Sequence, residues 1–314
     1  MGRRFVNYFL NKGDLVYCVD SLCPLTGFID PRQSDWISGN PFEFKNFNFI
    51  HQDCRSFFND NHDNDFDYAI HLAAIVGGRE VIEKMPIAVA QDLSIDASFW
   101  SWATKCKPKK VISFSSSASY PVKFQTVDNF KLLSEEMIDF ERDIGVPDLT
   151  YGWAKLTCEF LGKIAYERNG IKSVTYRPFS GYGEDQHENY PFPSLIKRAL
   201  NNNDKNLFEV WGSGDQMRDF IHIEDCINGV MMTCDKINDG SAINLSTGEF
   251  TSFKKLAKYI CNTIGYDPDV IGKSSKPEGV FARGGCTKKQ KKLGFEFSIS
   301  LNNGIEKALK YIKN

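Results

Sequence analysis

Short β-rich runs alternate with longer stretches of 3.6-residue apolar spacing, and this alternation restricts the chain to a parallel sheet with crossover helices on its faces. The clearest runs are Leu15-Val16-Tyr17-Cys18-Val19-Asp20, Asp67-Tyr68-Ala69-Ile70-His71-Leu72, Lys110-Val111-Ile112-Ser113-Phe114 and Ile171-Lys172-Ser173-Val174-Thr175-Tyr176, and they read as buried strands. Residues 3–12, 80–105 and 151–168 carry the helical spacing. Residues 41–50, rich in Phe and Asn, and 123–148 read as irregular excursions. After about residue 177 the alternation loosens, and Pro178, Pro191, Pro193 and Asn201-Asn202-Asn203-Asp204 mark a less regular region. The expected fold is α/β: a doubly wound parallel sheet over residues 1–176 and a smaller C-terminal lobe over 177–314, with 221–248 returning to the first part.

Charge and composition exclude several classes of function. Lys plus Arg number 38 against 40 Asp plus Glu, a net charge of −2, so the chain lacks the basic footprint of a nucleic-acid or anionic-membrane binder. Its longest apolar stretches fall far short of the ~18 residues a membrane span requires. The first residues, Met1-Gly2-Arg3-Arg4-Phe5-Val6, have neither the apolar core of a signal peptide nor a myristoylation pattern. Nine cysteines form an odd set without a C-x-x-C or a Cys/His cluster at metal spacing, so reduced structural thiols in the cytoplasm and no metal are expected.

Two local patterns carry chemistry. Gly2 followed by a helix, Gly13 and a strand ending in Asp20 matches the end of a dinucleotide-binding turn, with a ribose-binding carboxylate 18 residues after the glycine, near the ~20 usual for such turns. Tyr151-Gly152-Trp153-Ala154-Lys155 heads a predicted helix, and its i, i+4 spacing puts phenol and ammonium on one face. A neighbouring cation is expected to lower the Tyr pKa and make the phenol a usable acid or base. Upstream, Ser115-Ser116-Ser117-Ala118-Ser119-Tyr120-Pro121 follows a strand and can present one hydroxyl at the carboxyl edge of the sheet.

With these residues in place, the sequence resembles the extended short-chain dehydrogenase/reductases, the NAD-dependent nucleotide-sugar epimerase/dehydratase family with a Rossmann sheet. The likeness runs through His71-Leu72-Ala73-Ala74, Ser115-Ser116, Tyr151/Lys155, Arg177-Pro178, Trp211-Gly212-Ser213-Gly214, Arg218-Asp219-Phe220-Ile221-His222, Asn244-Leu245-Ser246-Thr247-Gly248 and Leu293-Gly294-Phe295. Val76-Gly77-Gly78, Tyr120-Pro121 and Pro277-Glu278-Gly279-Val280 are most similar to GDP-mannose 3,5-epimerases and GDP-fucose synthases, which makes a GDP-sugar the favoured substrate. The resemblance implies Tyr151, Lys155 and Ser116 as catalytic residues, with Ser117 the alternative hydroxyl. It implies NAD contacts from Gly2, Asp20, Asp53, Ala73, Tyr151 and Lys155. Substrate contacts are implied for Gly78, Ser117, Tyr190, Arg198, Gln216, Arg218 and Arg283, with the two last arginines on the diphosphate. It also implies a homodimer through two helices per subunit, one bearing Tyr151.

Departures from the family pattern narrow the reaction. Ala118 stands where the 3,5-epimerases carry Cys and Tyr190 where they carry Lys or His, with His187 three residues away as the nearest substitute. Ser117-Ala118 offers no acidic pair for 4,6-elimination. Oxidation and reduction at C4, by an epimerase or by a dehydrogenase, therefore lead, with a 3,5-epimerase as the alternative. Cys286 and Ser180 replace the usual Asp and Asn near the sugar. The family's first strand and its two earlier glycines have no counterpart before Gly2, so the expectation is a sheet without its first strand and Gly-rich turn. That in turn implies either a start at an internal Met of a longer protein or a shortened, non-catalytic relative.

Overall fold

A computed structural model describes residues 1–314 except 27–29, 34, 35, 38, 62–64, 277 and 314 and the side chains of residues 26, 80 and 313. Pro277 of the family motif thus lies outside the described residues. The order runs α1 (Gly2–Leu10), β1 (Val16–Asp20), β2 (Phe47–His51), α2 (Cys54–Asp60), β3 (Tyr68–His71), α3 (Arg79–Lys84), α4 (Pro86–Val89), α5 (Gln91–Cys106) and β4 (Lys110–Phe114). A small hairpin of β5 (Gln125–Thr126) and β6 (Asn129–Phe130) precedes α6 (Leu149–Asn169), β7 (Ser173–Pro178), β8 (Ser180–Tyr182), α7 (Pro191–Leu200) and β9 (Leu207–Trp211). Then follow β10 (Met217–Arg218), β11 (Phe220–His222), α8 (Ile223–Thr233), β12 (Asp239–Leu245), β13 (Thr251–Ser252), α9 (Phe253–Ile264), β14 (Asp269–Lys273), β15 (Ala282–Arg283), α10 (Lys288–Lys292) and α11 (Leu301–Lys313).

The central sheet is parallel, in the order β12-β7-β4-β3, and β1 pairs with β2 in a separate parallel ladder. Among the described residues no strand hydrogen-bonds β1 to β3, so the doubly wound sheet is in two pieces. Strand alternation sorts side chains between two cores. Ile112 and Phe114 of β4 enter the one shared with Phe5 of α1 and Cys226, Ile227 and Val230 of α8. Val111 turns the other way, towards Phe57 and Phe58 of α2, Phe99 and Trp100 of α5 and Cys158 of α6. Burial on both faces is why β4 lacks an exposed polar stripe. A further core joins α7, α9 and α11 under the β9–β14 pair.

Two expectations need correction. The helix anticipated over 80–105 is broken into α3, α4 and α5, because Pro86 has no N–H to continue the ladder and restricts Met85, which sits at φ −128° and ψ 49°. Residues 47–51, within or beside the segment taken as irregular, form β2, registered Val16 to Phe47 and Asp20 to His51. Phe47 and Phe49 project on one face and meet Phe42 at ring separations of 5.2 and 6.0 Å. In the sequence the pattern is masked because the phase of the Phe alternation slips between Phe44 and Phe47.

Candidate active site

β4 delivers the chain at its carboxyl end into the serine turn, and α6 approaches from the side. Ser116 Oγ accepts the Ala118 N–H at 3.1 Å and lies near enough to the Tyr151 phenol to pull its pKa down. The contact depends on Gly152, where a Cβ would stand 2.4 Å from the Ala118 carbonyl oxygen. Ser117 is buried with its carbonyl accepting the Tyr120 N–H. Of the two hydroxyls left open by the sequence, the fold brings Ser116 to the phenol. Lys155, one turn along α6, is buried with Nζ 5.9 Å from the Tyr151 ring centroid.

Beneath this pair lies a charged cluster that sequence reasoning missed. Asp92 and Asp96, four residues apart on α5, are buried, and Asp96 Oδ1 lies 2.8 Å from His71 Nε2. The Ile75 N–H donates to Asp92. Two carboxylates at i, i+4 on the helix stripe that continues through Phe99 and Ala103 were the available signal. Burial opposes the Lys155 ammonium, but Asp96, Tyr151 and Asp92 outweigh it and leave its pKa raised. Burial pushes Asp92 up to about 6 despite Lys155. For Tyr151 the expected downward shift is reversed: burial raises its pKa, and Lys155 and Ser116 offset this only in part. The cation's influence is already shared with two carboxylates.

The residues assigned to the dinucleotide gather at the carboxyl ends of β1, β2 and β3. Gly2 opens α1, and Asp20 is exposed at the end of β1, with Oδ1 accepting the Leu22 N–H at 2.8 Å. Asp53 caps α2 through the Arg55 N–H and also binds the Arg55 guanidinium at 2.6 Å. Ala73 is half-buried just beyond β3.

On the opposite side, Arg79 and Arg283 each place a guanidinium nitrogen 2.8 Å from Asp148 Oδ2, and Arg218 donates to the Met217 carbonyl at 2.7 Å. Neither Arg79 nor Asp148 stands out in the sequence, since their meeting spans 69 residues. Gly78 lies against the loop before α7, where a Cβ would be 2.7 Å from the Asn189 carbonyl oxygen. That loop brings half-buried Tyr190 into electrostatic range of Tyr151, and burial pushes the Tyr190 pKa up to about 12. Gln216 is buried and donates to the Trp211 carbonyl at 2.8 Å. Arg198 lies over the Phe208 ring and donates to the Glu209 carbonyl, on the rim of a depression bordered by Asn201 and Asp204. His187 accepts the Asn189 N–H at 3.2 Å through Nδ1.

Other motif residues build the frame. Arg177 binds Glu159 at 2.9 Å and Tyr120 Oη at 2.9 Å, and Tyr120 donates to Asn244 at 2.7 Å, all buried. Asp219 accepts N–H groups of Thr247, Gly248 and Gly285 at 2.9, 3.0 and 3.1 Å, fixing the strand that carries Arg218.

Residues 1–246 match the family described as NAD dependent epimerase/dehydratase. The chain belongs to that family. A rice (Oryza sativa subsp. japonica) protein named "Probable GDP-L-fucose synthase 1" is 26% identical over 261 residues, covering 79% of this chain and 76% of the relative. The GDP-L-colitose synthase of Yersinia pseudotuberculosis is 24% identical over 260 residues, with 79% and 82% covered. A dTDP-glucose 4,6-dehydratase from Streptomyces venezuelae, solved with NAD, superposes with a TM-score of 0.81 at 16% identity over 100% of this chain and 94% of its own, which shows the same fold.

NAD is the cofactor of this family, and the donor set here fits it. In the first turn of α1 the Arg4 and Phe5 N–H groups bond the Met1 carbonyl, and those of Gly2 and Arg3 donate to no acceptor among the described residues, as a pyrophosphate contact requires. Asp20 Oδ2 accepts no hydrogen bond among the described residues, leaving it for ribose hydroxyls. Asp53, engaged with Arg55, keeps only its outward lone pairs for an adenine contact.

Proposed function

We propose that this family member oxidises and re-reduces C4 of a nucleotide sugar, with a GDP-sugar favoured. One observation carries the reading: the Tyr151 phenol lies within the influence of Ser116, has the Lys155 ammonium 5.9 Å from its ring and is in electrostatic range of Arg283 in the arginine group around Asp148. Arg218 and Arg283 bind the diphosphate and so fix the sugar's distance from the phenol. Ser116 orients the C4 hydroxyl, and Tyr151 removes its proton; Lys155 stabilises the resulting charge. NAD, when bound, supplies the hydride acceptor. Return of the hydride to the other face of the rotated C4 ketone, with the proton from Tyr151 going to its oxygen, completes a 4-epimerisation; release of the ketone instead makes the reaction a 4-dehydrogenation. The names of the GDP-L-fucose and GDP-L-colitose synthases support the guanine nucleotide. The reading extends to a homodimer through two helices per subunit, one of them α6, and to a cytoplasmic role in polysaccharide-precursor synthesis.

The test is an assay of purified chain with NAD and GDP-hexoses, following NADH absorbance and C4 configuration. Turnover that disappears in Tyr151→Phe supports the reading; equal turnover in both proteins overturns it. Tyr190 beside Tyr151 favours a second reading, 3,5-epimerisation, in which the two phenols serve opposite faces of the sugar. Solvent deuterium appearing at C3 or C5, and lost in Tyr190→Phe, would select that chemistry.

A further inference from the structure

Two guanidinium groups from distant parts of the chain share one buried carboxylate, and a third lies beside them. Arg218 and Arg283 stand opposite one another, in register, on the adjacent parallel strands β10 and β15. Like charges side by side on a sheet repel. The turn at Gly279 closes the group from above, since a Cβ there would lie 3.5 Å from Arg79 Nε and 3.6 Å from Arg218 Nη2. Asp148, 7% exposed, takes Arg79 and Arg283, each at 2.8 Å. Glu83 holds the outer side of Arg79 at 2.6 Å. Arg218 has no carboxylate at ion-pair distance among the described residues, and burial together with the two neighbouring arginines draws its pKa down. Asp148 is the one carboxylate at ion-pair distance on the inner side of the seat among the described residues, with Glu83 outside and Glu278 acting on Arg218 only at longer range.

Asp148 is also the residue from which α6 starts. Its N–H donates to the Ala118 carbonyl at 2.9 Å, the next residue, Leu149, takes a left-handed φ of 53°, and Tyr151 follows within the first turn. Whatever moves Asp148 acts on the segment that carries the phenol.

Building on the nucleotide-sugar reading above, we propose that Asp148 is a built-in counter-ion occupying the seat of the substrate's diphosphate, and that Arg79 is a third arginine of that seat. A diphosphate carries more negative charge than one carboxylate and matches three guanidinium forks better. On docking it takes Arg79 and Arg283 from Asp148 and frees the start of α6, so that substrate binding and the position of Tyr151 are coupled. Glu83 remains on the outer side of Arg79 and keeps that side chain directed inward.

The experiment is calorimetric titration of the full chain with GDP and with UDP, beside thermal unfolding, for the unaltered protein, Asp148→Asn and Arg79→Gln. Asp148→Asn is expected to bind the nucleoside diphosphate about tenfold tighter while unfolding at a lower temperature without ligand, and Arg79→Gln to bind about tenfold more weakly. Equal or weaker binding by a folded Asp148→Asn overturns the counter-ion, and unchanged binding by Arg79→Gln overturns the third arginine. Should Asp148→Asn not fold, Arg79→Lys takes its place: a point charge for the fork should recover only part of the lost affinity, and full recovery counts against a diphosphate held by a fork. Binding of neither nucleotide by any of these proteins instead overturns the nucleotide-sugar reading on which the proposal rests.

Discussion

Tyr151 shows how far a residue's chemistry depends on its surroundings. Its upward-shifted pKa, set by burial against the pull of Lys155, leaves the phenol protonated at neutral pH. A general base works only when deprotonated, so the rate of sugar oxidation should climb with pH through neutrality, while reduction, which uses the phenol already protonated there, should stay level until pH approaches the phenol's pKa. A pH-rate profile in both directions checks this, and a flat oxidative limb would contradict it. Glu184 offers a stability test at the same scale. Burial works against its charge, but His222 and Arg4 hold its pKa down, from 4.5 to about 2. A carboxyl depressed in the folded state stabilises fully above its unfolded pKa and loses that contribution as pH falls towards the folded one. Glu184→Gln should therefore lower the Tm at pH 7, by the equivalent of about 2–3 kcal/mol, with the gap narrowing between about pH 4.5 and 2. Thermal scans across that range would show it.

At the scale of elements, the meeting of α6 with the serine turn is the critical packing event. Gly152 has an ordinary helical conformation, so its requirement is space: the Ala118 carbonyl lies where a methyl would go. Gly152→Ala should push the head of α6 away from Ser116, cost about 1–3 kcal/mol of stability and reduce turnover more than it reduces NAD binding. Chemical denaturation alongside NAD titration separates the two effects, and a variant with normal stability would show that α6 has room to shift. The breaks between α3, α4 and α5 matter at this scale too. They let Arg79 point towards Asp148 from α3 while Asp92 and Asp96 on α5 remain beneath Lys155.

For the whole molecule, the divided sheet sets the distribution of stability. β4 is buried throughout between two cores, whereas Leu15 before β1 and Tyr17 within it are 63% and 46% exposed. The β1–β2 pair has one hydrogen-bonded ladder and reaches the rest through α1, α2 and contacts such as Tyr17 with Phe66, 5.9 Å apart. Hydrogen exchange should find the Val16–Asp20 and Phe47–His51 amides opening at lower free energy than those of β4 and β7. NAD, resting on the carboxyl end of this pair, should raise its protection, by up to about 2.7 kcal/mol at a hundredfold excess over Kd. Uniform protection across all six strands would show that the two pieces unfold as one.

The sequence by itself determined the α/β class, the parallel strands, the facing of Tyr151 and Lys155 and the strand-end placement of the serines and Asp20, because all of these follow from periodicities of 2 and 3.6 within a short window. It left most of β2 in an irregular segment, because the phase of the Phe alternation slips between Phe44 and Phe47, and ran α3 to α5 together although Pro86 marks the break. Only the tertiary structure decided that Asp92 and Asp96 lie under Lys155, that Ser116 rather than Ser117 meets the phenol, and that Arg79, Arg218 and Arg283 converge on Asp148. Those contacts join residues tens to hundreds of positions apart, and the direction of each pKa shift depends on how much water is excluded when they meet. Desolvation is a property of the packed molecule, and no local pattern in the chain encodes it.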